Sequence, residues 1–241
     1  MNYIKPIIDA LEVSIFTPLK DLVLEYAQLE IDKIFENTVL REIPIINTLA
    51  AFYEVGVNIR ERNFAKQTVA FLQGFNDKSI SQEFLEKHRK ELDSDPGKLD
   101  QELSRVIILL DDHIEDVQSE ILGAFYRSYI QGAISWDKFC ELSVANRKMF
   151  FCDYTILCEA ARNDGLQTNA CKLYQVDRLI SLGLLRNNNR LGGNVFIMPQ
   201  ASSKKDSKDI LLTSFGQTFY QHLPQHLKES PSIHILSKEK K

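Results

Sequence analysis

The sequence predicts a mainly α chain, with a helical-bundle body followed by a small α+β domain. Three observations carry this expectation. Apolar residues recur every three or four positions through most of residues 3–165, the spacing of one helix face. Proline, glycine and Ser/Thr/Asp cap residues punctuate that pattern at helix-length intervals. After Asn169 the texture changes to short strand-like runs joined by a glycine-containing loop.

Residues 3–16 read as a first helix. Thr17-Pro18 sets a cap residue before proline and opens a second helix to about Asn37, with Leu22, Tyr26, Leu29 and Ile31 roughly in period. Glu42-Ile43-Pro44 opens a long third helix toward Phe75, where the missing proline N–H costs nothing. Gly74, Asn76 and Asp77 close it. Ser79 or Ser81 caps a short helix through Leu92, and Asp93–Gly97 is a turn. Pro96 starts the most regular helix, in which Leu103, Val106, Leu110, Ile114, Val117, Ile121 and Phe125 form one apolar face. Gly132 ends it and Ser135 caps the next. That helix carries Trp136, Phe139, Leu142, Phe150, Ile156 and Leu157 to Asn163-Asp164-Gly165, with room for a break near Asn146.

A helix is then expected from Ala170 to Leu182. Strand-like runs Leu184–Asn187 and Asn194–Met198 flank Asn188–Gly193, and a polar loop, Gln200–Lys208, leads to Asp209–Thr213. A last helix runs from Ser214 to about Leu223. The expected domains are a helical bundle over 1–165, a small domain over 168–225 and a flexible tail over 226–241.

At 241 residues and 44% apolar content, the chain is able to bury one large core or two modest ones. Its 26% charged and 10% aromatic content is that of a globular protein. Asp9 and Glu12 interrupt the first apolar stretch, and no run reaches the length of a membrane span, so neither a signal peptide nor a spanning helix is expected. Cys140, Cys152, Cys158 and Cys171 sit at odd spacings inside helical patterns, as reduced thiols do, and a cytoplasmic location follows. The net charge of −4 hides an asymmetry. Residues 1–169 hold 18 Lys/Arg against 28 Asp/Glu, and residues 170–241 hold 11 against 5. A basic module behind an acidic body suggests different partners for the two parts.

Two blocks carry a family resemblance. Asp177-Arg178-Leu179-Ile180-Ser181-Leu182-Gly183-Leu184-Leu185 resembles the end of the third helix of a winged-helix domain, with Gly183 as its left-handed stop. Leu212-Thr213-Ser214-Phe215-Gly216 resembles the LT-x-x-G return that closes the wing, capped by Thr213 or Ser214. The blocks stand in the family's order and cover under a third of the chain. One departure is plain. Only 20 residues separate Asn163 from Leu184, room for one helix where the family has two. The body more faintly resembles bacterial helical proteins encountered near mobile elements and phage-defence genes, through Ile43-Pro44-Ile45, Arg60-Glu61-Arg62 and Ile121-Leu122-Gly123-Ala124-Phe125.

Catalytic and metal chemistry find little support. In Asp111-Asp112-His113-Ile114-Glu115-Asp116, helical spacing sets Asp112, Glu115 and Asp116 on one face, opposite the apolar stripe, which reads as a solvated face. Asp93–Lys98 fails as a calcium loop, with Lys98 at the sixth position and Ser104 at the twelfth. There is no Cys-x-x-Cys, phosphate-binding glycine loop, G-x-S-x-G or dinucleotide fingerprint. No enzyme, cofactor or metal is expected.

The winged-helix resemblance implies partner contact through the third helix and wing, which carry Lys172, Arg178, Arg186, Arg190, Lys204, Lys205 and Lys208. Asp177, Asp206 and Asp209 dilute that charge, so a protein partner and DNA both stay open, as does self-association. A non-catalytic interaction or regulatory protein is therefore expected. The alternative is an accessory or effector protein of a phage-defence system that acts at a membrane through Ile43–Val57, a segment with one charge, Glu54. The favoured reading of the same segment is a core helix, since fifteen residues span only about 22 Å.

Overall fold

Fourteen residues into the chain, Ser14 already shows how its helices are joined. It lies in α1 (Ile4–Phe16), donates to the Ala10 carbonyl at 2.8 Å and accepts from the Ile45 N–H at 3.0 Å. Ile45 stands in the first turn of α3 (Pro44–Tyr53), whose leading N–H groups have no intrahelical partner. A computed structural model describes residues 4–17, 31–53, 59–95, 97–167, 172–188 and 208–229. The chain is mainly helical, with a small two-stranded sheet near the C-terminus. It divides between Lys148 and Met149 into two units.

The N-terminal unit contains α1, α2 (Ile31–Glu36), a 3-10 turn (Leu40–Glu42), α3, α4 (Ile59–Asn76), α5 (Gln82–Asp93), α6 (Lys98–Asp111), α7 (Asp116–Ile130) and α8 (Trp136–Arg147). The expected second and third helices are each seen in part, because residues 18–30 and 54–58 lie outside the described residues. Ile43 just before α3, and Ile45, Ile46, Leu49 and Ala50 within it, are buried, so these apolar residues are core. No helix among the described residues is long and apolar enough to cross a membrane.

α4 and α7 form the centre of this unit by approaching backbone to backbone. A Cβ on Gly74 would stand 1.7 Å from the Glu120 carbonyl oxygen, and one on Gly123 would stand 2.0 Å from that of Phe71. Only hydrogen fits at either crossing point. Arg127, buried in α7, donates to the carbonyls of Gly74 at 2.6 Å and Phe75 at 3.2 Å, closing the C-terminal end of α4. Phe71, Phe75, Tyr126, Tyr129, Trp136 and Phe139 then pack with ring centroids 5.0–6.3 Å apart.

The expected continuous helix through Asp111–Asp116 is a correction. The chain breaks over 112–115, and Ile114, read as part of the apolar face, is 84% exposed. A continuous helix would stack Asp111 on Glu115 and Asp112 on Asp116, like charges one turn apart. The break separates them. Asp111 pairs with Arg60, Asp112 with Arg147 at 2.5 Å, and Asp116 enters the first turn of α7, where the helix dipole favours a carboxylate. Gln118 Oε1 accepts the N–H groups of Ile114 and Glu115, while Asn63 and Gln67 of α4 donate to the carbonyls of His113 and Ile114. Asp112, Glu115 and Asp116 therefore share no helical face. His113 is buried, and Ser119 donates to Gln67, which leaves the Ser119 oxygen to accept from His113 Nδ1.

The C-terminal unit holds α9 (Phe151–Arg162), α10 (Leu173–Ser181), β1 (Leu185–Asn187), β2 (Ile210–Leu212), α11 (Ser214–Gln221) and α12 (Gln225–Lys228). The boundary differs from the expected 165. Residues 153–160 of α9 are all buried, surrounded by α10, β2, α11 and α12, so α9 is the core helix of this unit. With the boundary after Lys148, the N-terminal unit holds 17 Lys/Arg against 25 Asp/Glu and the C-terminal unit 12 against 8. α12 occupies the start of the stretch expected as a tail, and residues 230–241 lie outside the described ones.

Replacing Gly123 by Ala forces the α4–α7 crossing apart and is expected to cost more than about 3 kcal/mol. Gly97→Ala, at φ 88° with nothing within 4 Å, is expected to cost about 1 kcal/mol, and urea denaturation of both variants compares the two. Burial pushes the His113 imidazole down to about 4, and burial with the Asp77 charge pushes the Glu120 carboxyl up to about 7. Their signs oppose. The His113 contribution is complete above pH 6.5 and is lost as pH falls toward 4, whereas that of Glu120 is complete below pH 4.5 and is lost as pH rises through 7. Glu120→Gln is expected to raise stability above pH 7 by on the order of 1 kcal/mol and to steepen the loss between pH 6.5 and 4.5, read by denaturation across pH.

Candidate partner-contact surface

A short sheet and two caps position α10. β1 and β2 pair antiparallel with Leu185 opposite Leu212 and Asn187 opposite Ile210, and Leu166 adds a bridge to Ile210. Gly183, at φ 75°, ends α10 as its sequence context predicts, and the Leu184 N–H turns back to the Leu179 carbonyl at 3.0 Å. Thr213 caps α11: its hydroxyl oxygen accepts from the Gly216 N–H at 2.8 Å and the hydroxyl donates to the Gly183 carbonyl at 2.6 Å. Gly216 is required because a Cβ there would stand 2.0 Å from the Leu184 oxygen. The Leu-Thr-x-x-Gly stretch is thus a clamp between the end of α10 and the start of α11.

α10 buries Gln175, Val176 and Leu179 and turns Lys172, Leu173, Tyr174, Asp177 and Ser181 outward. Beside it, the start of α9 is organised by Asp153, which has no solvent exposure. Asp153 accepts the Phe150 N–H at 2.8 Å and both forks of the Arg178 guanidinium, Nε at 2.8 Å and Nη2 at 2.9 Å. Three charge-assisted bonds and the first turn of a helix hold a carboxylate that would otherwise be costly to bury. The Arg178 carbon lies 4.7 Å from the Phe150 ring centre and 5.8 Å from that of Tyr174. Gln175 Nε2 donates to the sulfur of exposed Cys152 at 2.9 Å.

The two rings against this guanidinium, and the residues next to them in the chain, are large apolar side chains in water. Phe150 and Phe151 are each 54% exposed, Leu173 60% and Tyr174 58%. Sequence pattern placed Phe150 in a helix core and passed over Phe151, Leu173, Tyr174 and Asp153. The signals present are an Asp three residues after Phe150, the spacing of a helix-start carboxylate, and a Leu-Tyr pair ahead of the buried Val176–Leu179 stripe.

Of the seven cations expected to make partner contacts, the four that lie among the described residues do not converge. Lys172 is exposed at the N-cap of α10, and Arg186 is exposed on β1, beyond the other end of a helix about 14 Å long. Lys208 is half-buried before β2, its carbonyl accepting from Asn188 Nδ2 at 3.1 Å. Arg178 is engaged by Asp153. Arg190, Lys204 and Lys205 lie outside the described residues, as does the expected Asn194–Met198 strand. Among the described residues no cluster of His, Cys, Asp or Glu fit to hold a metal is found.

Asp153→Ala is expected to cost about 3 kcal/mol, because it removes a helix start and leaves Arg178 unpaired. Lys172→Ala and Arg186→Ala are expected to stay within about 0.5 kcal/mol, and thermal unfolding of the three variants distinguishes a structural Arg178 pair from solvated cations. No protein-family model, curated protein or solved structure matches the chain.

Proposed function

We propose that this is a non-catalytic interaction or regulatory protein whose C-terminal unit, a winged-helix-like module, binds a protein partner. The contact surface is built on Phe150 and Tyr174, which stand against Arg178, and takes in the exposed Phe151 and Leu173 next to them in the chain. One observation carries the reading: two aromatic rings, Phe150 and Tyr174, each more than half exposed, stand against a guanidinium held in place by a buried carboxylate, with exposed Phe151 and Leu173 next to them in the chain. Rigid aromatic and arginine groups are the residue types that dominate binding energy at protein interfaces. Lys172 at the edge of the patch favours a partner with an apolar anchor and an acidic rim.

The surface suits protein better than DNA. Affinity for a phosphate backbone comes from clustered cations that release counterions, and Lys172, Arg178, Arg186 and Lys208 are dispersed, with Asp177 on the outer face of α10. Action at a membrane through α3 would require Ile45, Ile46, Leu49 and Ala50 to leave a core in which they are buried.

Leu173→Asp and Tyr174→Asp alter exposed positions and leave the fold intact. Co-purification from the native host is expected to recover a partner with the unaltered chain and with Arg186→Ala, and to lose it with either patch variant. The binding loss is expected to reach about thirtyfold, the scale of a hot-spot residue. Equal recovery by all four proteins, or a DNA mobility shift that Lys172→Ala and Arg186→Ala abolish, contradicts the assignment.

A further inference from the structure

The N-terminal unit contains a second feature, unrelated to the patch on α10. An open cavity of about 540 Å³ lies between the α5–α6 turn, α6, α7 and α8, with Asp95, Lys98, Glu102, Arg105, Tyr129 and Trp136 in its wall. Its volume is that of small-molecule sites, roughly 300–1,000 Å³. α6 supplies three of these side chains because Lys98, Glu102 and Arg105, at i, i+4 and i+7, share one helix face.

Glu102 is the unusual member, a carboxylate that is 4% exposed. Its Oε1 accepts from the Tyr126 hydroxyl at 2.7 Å and from His88 Nε2 at 2.8 Å, and its Oε2 accepts from the Tyr129 hydroxyl at 3.0 Å. A carboxylate has about four acceptor positions, so Oε2 retains one. Tyr129 bonds to it directly, and Trp136, in the same wall, packs on Tyr129 with ring centroids 5.2 Å apart and planes inclined at 53°. A buried carboxylate beside electron-rich rings is a receptor for an ammonium group, through a charge-assisted bond and cation–π attraction. At the mouth, Lys98 and Arg105 are exposed cations, Arg105 standing beside the Cys140 thiol. The wall therefore carries two cations and two carboxylates. That balance matches neither a simple anion nor a simple cation.

We propose that this cavity binds a small zwitterion of the α-amino-acid class, with its ammonium group on Glu102 against Tyr129 and Trp136 and its carboxylate on Arg105 and Lys98. The site goes beyond partner contact and stands whether or not the α10 surface has a protein ligand.

Trp136 is the only tryptophan in the chain, so its fluorescence reports on the cavity wall directly. The experiment titrates the full chain with each common amino acid separately, to about 10 mM. The expected result is a saturable change with at least one of them. Its affinity is expected to fall about tenfold or more in Arg105→Ala and for the methyl ester of the same amino acid. Arg105 is exposed, so its replacement leaves the core bonds of Glu102 intact. No saturable change with any amino acid overturns the proposal, and so does binding indifferent to both Arg105→Ala and esterification.

Discussion

The exposed surface of the C-terminal unit depends on one buried charge. Asp153 has no contact with water, and a carboxylate in that position is tolerated only when its oxygens are occupied. It holds the start of α9 through the Phe150 N–H and the flank of α10 through Arg178, so two helices and two aromatic rings are oriented by a single side chain. Arg178 is thereby a strut. Its remaining face is presented between Phe150 and Tyr174 at a fixed place, which lowers the conformational cost of any contact made there.

Both units use glycine to bring backbones together, although the geometry differs. In the N-terminal unit Gly74 and Gly123 let α4 and α7 touch along their lengths, and Arg127 and the Asn63–Gln67 pair then satisfy the exposed carbonyls at either end. In the C-terminal unit Gly216 lets the first turn of α11 sit on the Leu184 carbonyl, while Thr213 joins the two segments by its hydroxyl. Packing at these points admits no Cβ, so the sequence there is dictated by distance and not by helix propensity, which disfavours glycine inside a helix.

Local devices were legible in the sequence, because each satisfies a backbone group within a few residues. Pro44 at a helix start, Ser135 accepting from the Lys138 N–H, Gly183 as a left-handed stop and the Thr213 cap all stand where the pattern places them. The helical class and the strand at Leu185–Asn187 followed from the same signals, whereas its partner Ile210–Leu212 is not among the strand-like runs, and the expected Asn194–Met198 run lies outside the described residues. What was hidden depends on distant residues. An apolar period runs without interruption from Leu103 to Phe125, and only the crowding of Asp111, Asp112, Glu115 and Asp116 hints that the helix breaks. α9 has the texture of a bundle helix, and nothing local says which neighbours enclose it. Arg178 looks like a solvated cation until Asp153, 25 positions earlier, is placed beside it. The exposure of Leu173 and Tyr174 is likewise a property of the packed unit.

A double-mutant cycle across Asp153 and Arg178, built from Asp153→Asn, Arg178→Met and the pair and followed by urea denaturation of the full chain, tests the structural role of this ion pair most directly. A shared buried interaction predicts that the double variant loses about 2 kcal/mol less than the sum of the single losses. Additive losses, with a coupling below about 0.5 kcal/mol, would mean that the guanidinium is not held by the carboxylate and that the aromatic surface has no fixed frame.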